Sequence, residues 1–145
     1  AQEELSPELS ARLSALSAIN PAMERVGDAL VNMSWQLDAK GRQGVYFLPK
    51  QRTSLIEMLR LLKEALTLMD RNLRQNAADL DAVADVEGKI NALTERLREK
   101  HLRDLDKGKY PASSGVFYND LVNELEKCGD RVASVATHLA SEEDA

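Results

Sequence analysis

Apolar residues recur along this chain at helical spacing, in four blocks separated by short polar breaks. The first block runs from about Glu8 to Ala39 and contains Asn20-Pro21. That proline either kinks one long helix or opens a new one capped by Asn20, and both readings fit the pattern. The segment "KGRQGVYFLPK" (40–50) holds two glycines and a proline, which predicts a loop or a short extended stretch. A second helix is predicted from about Thr53 to Arg74, with Leu55, Met58, Leu59, Leu62, Leu66 and Met69 on one broad face. After a tight corner at "QNAAD", a third is expected from about Asp79 to Leu105, carrying Val83, Val86, Ile90, Leu93 and Leu97 in register. The glycine and proline of "DKGKYPASS" end it, and a fourth helix is predicted to start near Ser114 as its cap and to stop before the acidic tail "SEEDA". Four amphipathic helices joined by two short connections and one longer one predict an all-α, antiparallel up-down bundle, in preference to globin-like crossings.

Length is consistent with this picture. A chain of 145 residues is long enough for one well-packed core and too short for two, so residues 1–145 are expected to form a single domain. A formal charge of −5 with no basic stripe argues against nucleic acid as a partner. The lone Cys128 excludes an intrachain disulfide framework and cysteine-rich zinc sites, and it fits a reducing compartment. No run approaches the roughly 18 apolar residues of a membrane span, and "AQEELSPELS" lacks a basic region followed by an apolar core. These features predict a soluble chain, whether whole or the soluble piece of a membrane protein.

One phrase is written twice. "MERVGD" at 23–28 returns as "LEKCGD" at 125–130, at a constant offset of 102. At that offset Ile19, Met23, Val26, Leu30 and Met33 correspond to Leu121, Leu125, Cys128, Val132 and Val135, both sets following a core-facing stripe. The first and fourth helices are therefore expected to occupy equivalent, neighbouring positions, related by an internal duplication. Glu24 and Asp28, like Glu126 and Asp130, lie roughly 140° and 180° from the stripe centre at about 100° per residue, and so face outward. Like charges at i, i+4 repel by a few tenths of a kcal/mol, and a mid-helix glycine costs about 0.5–1 kcal/mol against alanine. Repeating both choices suggests a cation near the carboxylates and a close approach at Gly27 and Gly129. The plain alternative is an acidic face that Arg25, Lys127 and Arg131 solvate or pair with, in a chain that is 30% charged.

The phrases "MERVGDALVNM" and "REKHLRDLDKGKYPASSGVFYNDLVNELEKCGDRVASVA" (98–136) resemble the PhoU family, and most nearly the PhoU-like cytoplasmic domain attached to bacterial sodium/phosphate cotransporters. The likeness lies in an E-x-x-x-D pair within a phrase like "LERIGDHAxNI" on each of two helices, and in "HLRDLDKG" ahead of the last helix. It implies a PhoU-like helical bundle whose outward acidic pairs hold multinuclear metal clusters, with a role in controlling phosphate uptake rather than in catalysis. By position it marks Glu24, Asp28, Glu126 and Asp130 as metal ligands. A further acidic pair is implied on the neighbouring helix, where "EGKINALTE" keeps Glu87 but has Asn91 in place of Asp. Lys127 stands where the family has Arg, and Arg131 where it has His.

Ligands that are all oxygen would select iron, manganese, magnesium or calcium over soft-site metals. By resemblance the partner is the membrane part of a sodium/phosphate transporter, which places this domain in the cytoplasm, tethered to the inner membrane if it belongs to a longer chain. The competing class is a helical interaction or dimerisation module with no metal site and a solvated acidic face, and a homodimer is among the partner states open to the chain. An oxygen-activating metalloenzyme would need Glu-x-x-His pairs, and the chain has none. His101 is expected to be a packed or capping residue, Cys128 inert packing, and Trp35, Tyr46 and Phe47 a core cluster near the first corner.

Overall fold

The computed structural model describes residues 5–143, which form four helices: α1 (Pro7–Arg42), α2 (Pro49–Gln75), α3 (Leu80–Asp106) and α4 (Ala112–Glu143). Among the described residues there is no strand, and no helix is long and apolar enough to cross a membrane. The architecture is the all-α, four-helix bundle that the periodicity predicts. Cross-links such as Arg71–Asp79 and Arg96–Glu57 between α2 and α3 place the start of one helix against the end of the other, as antiparallel neighbours must be.

The termini follow from local chemistry. Ser6 accepts a hydrogen bond from the Leu9 N–H at 3.2 Å and Pro7 occupies the first turn, so α1 begins as a capped helix. α1 then runs through Pro21 without a break. The carbonyl that this proline leaves without a donor belongs to Ser17, which is exposed, so water can satisfy it. α2 starts at Pro49, earlier than Thr53, because Gln51 Oε1 accepts from the Leu48 N–H at 2.8 Å and supplies the cap. Asp79 caps α3 through the Ala82 N–H, so the helix starts one residue later, at Leu80. Ser114 does not cap α4: it lies buried inside the first turns, where its hydroxyl is 3.2 Å from both the Tyr46 carbonyl and Gln51 Oε1. α4 also extends past its expected end to Glu143, and the last two residues of the acidic tail lie outside the described residues.

α4 is the central helix. It packs against α1, α2 and α3, and α2 packs on α3, whereas the backbone of α1 approaches α4 alone. This corrects the expectation that α1 and α4 hold equivalent positions. On α4, Leu121, Leu125, Cys128, Val132 and Val135 are all buried. On α1, Ile19, Val26 and Met33 are buried, but their expected companions Met23 and Leu30 are 41% and 42% exposed. Ala15, Ala22 and Ala29 take the remaining contact positions, a row of small side chains that lets the two backbones draw close.

The two repeated glycines part company for the same reason. At Gly129 an added Cβ would lie 3.0 Å from Ile90 Cδ1 of α3, so that glycine does permit a close helix approach. Gly27 has nothing within 4 Å, so packing gives no reason for it. Of the aromatic trio, only Phe47 enters the core, edge-to-face on Tyr118 with ring centroids 6.3 Å apart. Trp35 and Tyr46 are 67% and 79% exposed, because α1 and the 43–48 turn have no helix outside them.

Candidate acidic surface sites

The repeated phrases stand at one height on adjacent helices. Arg131, just after the second phrase, donates from Nη1 to the Arg25 carbonyl within the first at 2.7 Å. Antiparallel packing of α1 on α4 therefore makes the two phrases neighbours, but their carboxylates diverge.

On α1 the residues against α4 are Ala22, Val26 and Ala29, and a 100° step per residue then puts Glu24 on the opposite side of the helix with Asp28 beside it. Both are exposed, and neither makes an ion pair among the described residues.

On α4 the pair leans toward α3. Arg98 of α3 forms an ion pair with half-buried Glu126 and also donates to Asn123 Oδ1, at 2.8 Å from Nη2 and 3.2 Å from Nε. This guanidinium is the cation that offsets the acidic pair on α4. Asp130, one turn on, has its pKa raised above the ordinary aspartate value, first by burial and then by the charge of Glu126. Glu87 is half-buried at the α3–α4 seam, where with Gly129 and Ile90 it lines a void of about 10 Å³. Asn91 is exposed on α3.

The structure thus gathers Glu87 toward the helix that carries Glu126 and Asp130, and leaves Glu24 and Asp28 on a separate face. Among the described residues, no three His, Cys, Asp or Glu side chains come together in a group that could hold a metal ion. The side chains present do not fit one multinuclear cluster shared by both phrases. Each pair by itself offers two carboxylates, and at Glu126 a cation would compete with Arg98.

Sequence reasoning missed Arg98, since nothing in "RLREKH" indicates that its arginine reaches across to a glutamate 28 positions later. His101 is packed as expected. Its Nδ1 is hydrogen-bonded to the Tyr110 hydroxyl, its ring stacks on Tyr110 at 5.8 Å, and burial lowers its pKa. Cys128 is wholly buried, and burial pushes its thiol up to about 11, so at neutral pH it is a protonated packing group.

Two of the larger concavities lie away from the acidic pairs. A groove of about 530 Å³ between α2 and α3 is lined by Arg60, Lys63, Glu64, Thr67, Arg71 and Asp85, in which charges of both signs alternate. A second, of about 300 Å³, opens between α1 and α2 over α4, and its lining is apolar save for Ser34: Leu30, Met33 and Leu37 on one wall, Leu55 and Leu59 on the other, Leu121 and Leu125 beneath. In comparisons with known proteins, no family model matches the chain, and no curated protein or solved structure is significantly similar to it.

Proposed function

We propose that this chain is a non-catalytic regulatory domain of the PhoU-like kind, acting in the cytoplasm on the membrane part of a sodium/phosphate transporter. The observation that carries the reading is the pair of E-x-x-x-D phrases, set at one height on neighbouring antiparallel helices with both reaching the surface. On this reading the acidic pairs are cation sensors, and they differ in readiness. Glu24 and Asp28 face solvent with no basic side chain on them, so a hard cation binds there without displacing anything. At Glu126 and Asp130 the same cation must first replace Arg98. Iron, manganese, magnesium and calcium all suit such oxygen donors.

The test is thermal unfolding in manganese, magnesium or calcium against sodium at matched ionic strength. One ion at about 100 times its dissociation constant adds about 2.7 kcal/mol, which for a domain near this size raises Tm by roughly 5–10 °C. Asp28→Asn should abolish most of the rise, and Asp130→Asn should leave most of it. If no divalent ion stabilises more than sodium does between pH 6 and 8, the cation reading fails. A second reading, a helical interaction module, is favoured by a different observation, the apolar groove beside α1.

A further inference from the structure

Leu9, Leu16, Met23, Leu30 and Leu37 follow one another along α1 at an unbroken spacing of seven, and each is between 41% and 48% exposed. Leu13, also 45% exposed, thickens the row at its N-terminal end. Single exposed leucines are ordinary, but a strict seven-residue row is the pattern that keeps a seam turned toward a second helix as the two coil. α1 already has one such seam, Ala15, Ala22 and Ala29, and α4 fills it. The leucine row is a second seam about 100° around the same helix, with no helix on it.

We infer that this seam is the interface between two copies of the chain, with the two α1 helices antiparallel about a two-fold axis near Met23. The row spans 28 residue steps, about 42 Å of helix, so its occupant must be a helix of at least that length. This chain has one in the 36-residue α1. The row is also symmetric about its centre. An antiparallel two-fold sets Leu9 against Leu37, Leu16 against Leu30, and Met23 against itself, which makes an isologous, self-complementary contact.

The two halves of the seam differ in a way that selects this orientation. Its N-terminal half projects three leucines, at 9, 13 and 16, while its C-terminal half borders the 300 Å³ apolar groove walled by Leu55 and Leu59. Antiparallel pairing brings the surplus leucines of each copy over the groove of the other. Parallel pairing would set leucines on leucines and groove on groove.

The area is of the right order. At roughly 80 Å² for a half-exposed leucine, the six seam residues and Leu59 present about 550 Å², and the polar flanks bring this toward the ~800 Å² per partner of a standard interface. A contiguous apolar surface of that extent is at the upper end of what monomers leave uncovered. Charge opposes the contact, since each copy carries −5 and the two Glu24 side chains flank the axis. The dimer should therefore tighten as salt rises, the reverse of an ion-paired interface. None of this depends on whether the acidic pairs bind a metal.

Sedimentation velocity of the whole chain up to about 100 µM, in low and high salt, tests the inference together with cysteine crosslinking, because the native Cys128 is buried and silent. The expected result is a dimer favoured by salt and weakened at least about 100-fold by Leu16→Ser with Leu30→Ser, at unchanged helicity. Met23→Cys should crosslink to itself, and Leu9→Cys to Leu37→Cys but not to a second Leu9→Cys. A chain that stays monomeric at every concentration and salt overturns the inference, as does efficient crosslinking of Leu9→Cys to itself.

Discussion

Replacing each of the two repeated glycines with alanine should move stability in opposite directions. Gly27 is mid-helix, with open space where a Cβ would go. The substitution therefore collects the helix-propensity gain alone, about 0.5–1 kcal/mol, or up to about 4 °C in Tm for a domain near this size. At Gly129 the new methyl would stand 3.0 Å from Ile90 Cδ1 and 3.4 Å from its Cγ2, against an ordinary carbon separation of about 3.5–4.0 Å. Ile90 is 1% exposed and belongs to the main core cluster, so it can retreat only into the small void beside it. Overpacking of this kind costs about 1–3 kcal/mol and outweighs the same helix gain, for a net loss of about 0.5–2 kcal/mol. Adding Ile90→Val removes Cδ1, so the double variant should be more stable than the two single changes sum to, by about 1 kcal/mol of coupling. Urea titrations followed by circular dichroism resolve differences of this size. The packing assigned to α3 on α4 is wrong if Gly129→Ala raises the midpoint as much as Gly27→Ala does.

Two further outcomes concern pH. Asp130 has a raised pKa in the folded state, so its contribution favours folding when it is protonated and is lost as pH climbs from about 4 through the raised value. Asp130→Asn should therefore stabilise at pH 7 and lose that advantage by pH 3, and an advantage that persists unchanged at pH 3 would contradict the cause given. His101 has a lowered pKa, so the fold favours its neutral ring, and the resulting stability is present above about pH 6.5 and drains away as pH falls below it. His101→Gln should flatten the stability profile between pH 7 and 5, and proton NMR of the wild type should find the His101 ring titrating below the ordinary histidine value.

How much of this was legible in the sequence depended on whether the signal was local. Helix number, order and most boundaries are local properties, set by periodicity and by the glycine and proline breaks between blocks, and there reading and structure agree. Boundaries were missed where a residue serves two purposes. Pro49 ends a loop and also opens a helix that Gln51 caps, and Ser114 resembles a cap but spends its hydroxyl on the Tyr46 carbonyl across the bundle. The repeated phrase was legible as surface, yet two helices with the same stripe came to differ because burial depends on how many neighbours a helix has. α4 has three and α1 has one, and a pattern of period 3.6 records which face is apolar without recording what meets it. The same blindness hid Arg98, whose partner is set by topology, and it concealed the meaning of Met23 and Leu30. On the wheel they look like core, and on α1 they are the edge of the core and part of an evenly spaced exposed row. A helix held along one seam, with a second apolar seam left open beside it, is short of one neighbour, and a second α1 meets that need with the length, symmetry and shape the open seam requires.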